Sequence, residues 1–159
     1  MNVELYERIW MWGASVLLLL FLSAIFVTAG MYAVHPPSHV ETVDPGALAT
    51  SPEFSNPAVT VRPDGSVMVT VVAQLFSFSP DPIEVPADRP VTFRLTSADV
   101  IHGFQIVGTN GNVMVVPGYV SQFTMTFHEP GEYVIVCNEY CGLMHHGMLG
   151  KLIVRKESK

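Results

Sequence analysis

Residues 123–136, FTMTFHEPGEYVIV, contain the pattern that decides the fold. Phe123, Met125 and Phe127 alternate with threonines, and a His-Glu-Pro-Gly turn leads into the apolar run at 133–136. Alternation of apolar and polar residues is typical of a half-buried β-strand, and Pro-Gly marks a turn. The stretch therefore predicts two strands joined as a hairpin.

The same alternation recurs at 67–71 and 91–95, where every second residue is apolar and branched or aromatic. Turn sequences rich in Pro, Gly and Asp separate about eight such runs within roughly 100 residues, a density typical of all-β domains. Residues 57–159 are therefore predicted to form a β-sandwich or a small barrel.

The composition limits the class of protein. The chain has 159 residues, of which 49% are apolar and 14% charged, with 8 Lys and Arg against 14 Asp and Glu. So few charges exclude a disordered chain, and the acidic balance leaves no basic surface for phosphates, which excludes nucleic acid as a partner. Two cysteines cannot support a disulfide-rich scaffold.

A membrane anchor is predicted over residues 1–36. Residues 9–34 contain no Asp, Glu, Lys or Arg, and as a helix they would extend about 39 Å, enough to cross a hydrocarbon core of roughly 30 Å. The alternative is a signal peptide, whose apolar region is shorter, at roughly 7–15 residues. Arg8 precedes the span and no Lys or Arg follows before Arg62, so the N-terminus is expected in the cytoplasm and the larger part of the chain on the periplasmic or extracellular side of the cell membrane.

Residues 37–56 are predicted to form a linker that holds the β domain away from the membrane. This segment is rich in Pro, Ser and other small residues. It shows neither the helical nor the strand period.

The stretch that carries chemistry is residues 137–148, CNEYCGLMHHGM. Cys137, Cys141, His145 and Met148 supply two thiolates, an imidazole and a thioether, which is a ligand set suited to copper. His102 is the candidate that completes this set, because it ends a strand pattern in an apolar setting where an unpaired imidazole is costly.

Other interpretations of the two cysteines stay open on their spacing alone. A pair separated by three residues fits a disulfide in an oxidising compartment, a redox pair or a metal site. The nearby His145 and Met148, together with His102, favour the metal site. A structural zinc site could use two Cys and two His, but it gives no role to Met148.

The motif Cys-x3-Cys-x3-His-x2-Met, together with the upstream Asp-x2-His-x-Phe at 99–104, resembles the dinuclear copper (CuA) site of cytochrome c oxidase subunit II. The resemblance extends to the anchor, the linker and the segment FSFSPDPIEVP at 76–86. It implies an all-β cupredoxin-like Greek-key sandwich with one N-terminal transmembrane α-helix.

The resemblance also implies a set of copper ligands in which Cys137 and Cys141 bridge both ions. The remaining ligands would be His102 and His145, one on each copper, and as weak ligands the side chain of Met148 and the backbone carbonyl of Glu139. Bridging thiolates let one electron delocalise over both metals, and a saturated site leaves no open position for a substrate. No catalytic residue is therefore expected in this chain.

Two departures from the commoner subunit II pattern matter. That pattern has two transmembrane helices, whereas the single anchor here is similar to the B-type (ba-type) haem-copper oxidases. It also places Trp where cytochrome c delivers its electron, but the matching segment at 73–78 has none. Phe76, Phe78 or an apolar patch near Met148 would receive the electron instead.

The resemblance implies a membrane-anchored electron-transfer subunit of a terminal cytochrome c oxidase, an oxidoreductase and translocase. Its partners would be cytochrome c or a small copper protein as donor, and the haem-bearing catalytic subunit I as acceptor. The acidic balance favours a basic donor through steering. Many members bind Mg²⁺ through the Glu between the cysteines, which is Glu139 here, where a surface salt bridge is the alternative.

Three alternative functions stay in view. The first is the CuA subunit of a nitric oxide reductase or other terminal reductase, and only the partner distinguishes it. The second is a copper-trafficking or thiol-redox module, but such cysteine pairs usually follow the first strand of a thioredoxin-like βαβ pattern. The third is a mononuclear blue-copper carrier, which needs only one cysteine.

Overall fold

The computed structural model describes residues 3–31 and 41–156. Helix α1 spans Val3–Met31, and its part Glu4–Thr28 is long and apolar enough to cross a membrane. The side chains of residues 4–28 are exposed, as expected of a segment that lipid surrounds. The end of the predicted anchor and the start of the predicted linker, residues 32–40, lie outside the described residues.

The described residues 41–156 belong to a compact unit of their own, in which ten described strands build two five-stranded sheets. The first sheet contains β1 (Val59–Val61), β2 (Val67–Gln74), β3 (Ser77–Ser79), β5 (Pro90–Ser97) and β8 (Ser121–Thr126). The second contains β4 (Ile83–Pro86), β6 (His102–Ile106), β7 (Asn112–Val115), β9 (Gly131–Val136) and β10 (Leu149–Arg155). Short 3₁₀ helices occur at Pro45–Thr50 and His145–Gly147.

The strand order shows that the chain repeatedly crosses between the sheets. The first sheet runs β1-β2-β5-β8, with β3 also paired to β2, and the second runs β4-β10-β9-β6-β7. Two neighbouring pairs, β2 with β5 and β4 with β10, are parallel, and the other pairs are antiparallel. Parallel neighbours need a crossover, so a simple up-and-down barrel is excluded.

The predicted period of two is confirmed in β2 and β5. Their alternate residues are fully buried, and these are Val67, Val69, Val71, Val91, Phe93 and Leu95. Phe93 stacks on Phe123 with ring centroids 4.9 Å apart and lies 5.8 Å from Phe104 of the other sheet. Aromatic packing between the two inner faces therefore forms the centre of the sandwich.

The predicted hairpin at 123–136 is wrong. Both strands form, but β8 pairs with β5 in the first sheet, whereas β9 pairs with β10 and β6 in the second. The turn carries the chain across the core, where Phe127 packs on Tyr133 with ring centroids 5.6 Å apart. Alternation shows which face of each strand is buried, and it does not show which strand lies beside it.

Residues 41–56, here called the covering segment, differ from a free linker because they pack on the β domain. Leu48 and Phe54 are buried in a cluster with Val72 of β2. Glu53 forms an ion pair with Arg94 of β5. The boundary at residue 57 stays a prediction, and the described part of the predicted linker contributes apolar surface to the domain.

Replacing Thr96 with valine is expected to stabilise the protein. Thr96 of β5 is fully buried, and its Oγ1 has no hydrogen-bond partner. A methyl group of the same shape removes this unpaired polar atom, so we expect the free energy of unfolding to rise by about 1 kcal/mol. Chemical denaturation measures this value, with Thr92→Val as the control, because the Thr92 hydroxyl is paired with Thr124. Equal effects of the two substitutions would contradict the explanation.

Candidate metal centre

The loop at 137–148 connects β9 to β10 at one end of the sandwich. The Cys137 N–H donates to the carbonyl oxygen of Met148 at 3.2 Å, and the next pair outward is Val136 with Leu149. The two ends of the loop are therefore held by the sheet. His102 begins β6, contrary to the prediction that it ends a strand, and it reaches the same place from this neighbouring strand.

Four predicted ligands come together in a chain of short distances. The Cys137 and Cys141 Sγ atoms lie 3.7 Å apart. Nδ1 of His102 is 3.9 Å from Cys137 Sγ, and Nδ1 of His145 is 3.6 Å from Cys141 Sγ. Each sulfur atom therefore has a different imidazole beside it.

The two predicted weak ligands follow the same division. Met148 Sδ lies 3.7 Å from Cys141 Sγ, whereas the backbone oxygen of Glu139 lies 3.2 Å from Cys137 Sγ. Met148 is 1% exposed, so its thioether belongs to the interior of the site. A zinc site would leave this buried sulfur without a role, and the soft donor set fits copper.

Burial shapes the chemistry of the thiols. Cys137 and Cys141 are buried and are not joined in a disulfide. Burial, followed by the hydrogen bond with Cys137, raises the pKa of the Cys141 thiol to about 11. Since copper binds the thiolate, uptake of the metal at neutral pH must displace this proton.

Asp99 orients His102. Its Oδ1 lies 2.8 Å from Nε2 of the fully buried imidazole, so Nε2–H donates to the carboxylate and Nδ1 faces Cys137. Burial would raise the pKa of Asp99, but hydrogen bonds from His102 and from the N–H groups of Leu75 and Val100 outweigh it and lower that pKa. The sequence motif contained Asp99, and only the contact reveals its role.

The Asp99→Asn substitution tests this role. The amide keeps the shape but loses the charge that stabilises the Nε2–H tautomer, so copper affinity is expected to fall by about 10–100-fold. Competition with a copper chelator measures the change. Asp64→Asn is the matched control, because Asp64 accepts hydrogen bonds from Ser66 on the exposed surface. If both variants hold copper equally, Asp99 does not act on the ligand.

The other residues considered for the site differ in how far their side chains are exposed to solvent. Phe78 is 4% exposed and packs against Phe104 in the core, and its role in electron entry stays a prediction. Phe76 is half-buried, and its ring covers Gly142, the residue after Cys141. Glu139 is half-buried, and His146 is exposed beside the site.

Together the fold and the donor set define a copper-binding protein with a cupredoxin-like domain and one N-terminal membrane helix. Residues 66–155 match the family described as "Cytochrome C oxidase subunit II, periplasmic domain". The chain belongs to the cytochrome c oxidase subunit II family. This membership fits a single-pass membrane protein that is part of a haem-copper oxidase complex.

Relatives support this membership over nearly the whole chain. Cytochrome c oxidase subunit 2 of Thermus thermophilus is 41% identical over 155 residues, which cover 95% of this chain and 92% of the relative. A chain from the cryo-EM structure of a heme-copper terminal oxidase dimer is 31% identical with a TM-score of 0.65, covering 94% of this chain and 99% of that one. The Thermus relative is consistent with the B-type resemblance, and these names do not favour a nitric oxide reductase.

A third comparison concerns the fold alone. The periplasmic domain of subunit II of cytochrome oxidase (CoxB) from Bradyrhizobium japonicum is 17% identical, with a TM-score of 0.53. It covers 57% of this chain and 84% of that domain. The two proteins therefore share the sandwich fold.

Proposed function

We propose that this chain accepts single electrons from a soluble donor at a dinuclear copper (CuA) site and delivers them to haem in the catalytic subunit. The observation that carries the proposal is the buried group of His102, Cys137 and Cys141, whose ligand atoms all lie within 4.8 Å of one another. Three further donors lie beside the sulfur atoms. The His145 nitrogen and the Met148 thioether lie beside Cys141, and the Glu139 carbonyl lies beside Cys137.

The arrangement of the residues supports two metal positions that share both sulfur atoms. Cys137 and Cys141 would serve both positions, and His102 and His145 would serve one position each. The Met148 side chain and the Glu139 carbonyl would complete the set as weak ligands, one at each position. A copper pair held in this way supplies one-electron transfer with little change in geometry. The protein supplies rigid strand ends, a fixed imidazole tautomer through Asp99 and exclusion of water by burial.

Electron paramagnetic resonance with copper quantification tests the proposal. The oxidised, copper-loaded chain is expected to contain two coppers and to give a seven-line hyperfine pattern, because one unpaired electron is shared by two copper nuclei. A four-line spectrum with one copper would instead indicate a mononuclear carrier. A silent protein with a Cys137–Cys141 disulfide would indicate a thiol-redox module.

The Met148→Leu substitution is expected to keep both coppers and shift the reduction potential. Leucine preserves the buried volume and removes only the weak axial sulfur, which tunes the potential more than it contributes to affinity. Voltammetry measures the shift, and Met144→Leu is the matched control because Met144 is 55% exposed. Loss of copper from Met148→Leu would show that the thioether is an essential ligand.

An exposed apolar rim around the site is proposed as the docking surface for the donor, either cytochrome c or a small copper protein. Tyr140, Leu143 and Met144 on the ligand loop are 76%, 88% and 55% exposed. Leu75, next to Phe76, is 48% exposed. Exposed apolar side chains grouped in this way mark an interaction surface. The half-buried Phe76 beside Leu75 is therefore proposed as the residue that receives the electron.

The orientation proposed from Arg8 puts the N-terminus in the cytoplasm and the copper domain on the outer side of the cell membrane. A donor there would reach the rim directly.

We also propose that the Glu139 carboxylate contributes to a Mg²⁺ site at the contact with the catalytic subunit I. This carboxylate would need oxygen ligands from that subunit, since Mg²⁺ prefers six.

A further inference from the structure

Asn138, the residue after Cys137, contacts the neighbouring strands of the second sheet. Its Nδ2 donates to Oδ1 of Asn112 on β7 at 3.1 Å. Its Oδ1 and backbone N lie over Gly103 of β6, where a Cβ on the glycine would be only 1.8 Å and 2.8 Å from them. The close approach of Asn138 therefore depends on the missing side chain of Gly103.

These contacts adjoin two predicted copper ligands. Gly103 follows His102, and Asn138 follows Cys137. Strands β6 and β9 are antiparallel, and the last pair of their ladder is Gln105 with Val136. Continued by two residues beyond this pair, the same register places Gly103 opposite Asn138. The Gly103–Asn138 contact is thus where the strand bearing His102 meets the start of the cysteine loop.

We propose that Gly103, Asn112 and Asn138 are positioning residues that set the separation of His102 from Cys137 and thereby tune the redox properties of the bound copper pair. The inference rests on the proposed function. Gly103 lets the loop backbone approach, and the Asn112–Asn138 hydrogen bond holds it there. The 3.9 Å between His102 Nδ1 and Cys137 Sγ follows from this approach, because each ligand is one residue from the contact.

Asn112→Ala and Asn138→Ala in the full copper-loaded chain provide the main test. Both side chains are exposed, so the two variants are expected to fold, to unfold at the wild-type temperature and to retain two coppers. Their absorption bands and reduction potentials are expected to shift. Because both act through one hydrogen bond, the double variant is expected to shift no further than the larger single shift.

Gly103→Ala is expected to give a larger spectral shift, because the added methyl group displaces the backbone of Asn138 as well as its side chain. Gly147→Ala is the matched control. Gly147 lies in the same loop, and a Cβ there meets nothing within 4 Å. The Gly147→Ala spectrum is expected to equal that of the wild type.

The outcomes separate this inference from the proposed function. A wild-type chain without the two-copper spectrum overturns both. If the wild type has this spectrum, the positioning role is overturned by asparagine variants with unchanged bands and potentials, or by single shifts that simply add in the double variant. The function then stands without it.

Discussion

Replacing Cys137 or Cys141 with serine is expected to abolish the two-copper centre. Each sulfur lies beside a different imidazole and 3.7 Å from the other sulfur, as two shared ligands should. A serine hydroxyl is a harder, neutral donor at pH 7, and it cannot replace a thiolate shared by two coppers. Removal of either sulfur therefore affects both metal positions.

Copper quantification and electron paramagnetic resonance measure this result. We expect at most one copper per chain and loss of the seven-line pattern in both variants. His146→Ala is the control, because His146 adjoins His145 but is exposed, and it should retain the wild-type spectrum. A serine variant with two coppers and an unchanged spectrum would show that the cysteines are not the bridging ligands.

Removing residues 1–36 is expected to leave a soluble, folded domain that binds copper, whereas removing residues 1–56 should destabilise it. The second deletion takes away the covering segment, in which Leu48 and Phe54 are 7% and 3% exposed. It also breaks the ion pair between Glu53 and Arg94, which is 14% exposed. Loss of these contacts is therefore expected to lower the free energy of unfolding, since burying one apolar side chain of this size contributes about 1.5–3 kcal/mol.

Chemical denaturation of the two metal-free fragments measures the difference. Leu48→Ala and Phe54→Ala in the longer fragment are the matched variants, and each is expected to lose part of the same stability. Equal stability of fragments 37–159 and 57–159 would mean that the covering segment only rests on the sheet. Aggregation of the copper-loaded longer fragment would argue against its proposed boundary.

The sequence by itself determined the features that depend on local pattern. An uncharged run at 9–34 predicted the membrane helix, and alternation in β2 and β5 predicted which side chains are buried. The ligand spacing at 137–148 predicted that Cys137, Cys141, His145 and Met148 lie together with the upstream His102, and the structure brings these five side chains together. These features can be predicted from the sequence alone because period, length and ligand chemistry are properties of short stretches of chain.

Only the tertiary structure decided which segments lie side by side. It assigned β8 and β9 to different sheets, because strands of a sandwich can share one core without pairing with each other. It packed the covering segment on the first sheet. The two buried apolar residues of this segment lie in an aperiodic stretch, so the sequence does not predict their burial. It also brought Asp99 to His102 and Asn138 to Gly103, because such contacts depend on side-chain direction and strand register, which long-range pairing sets.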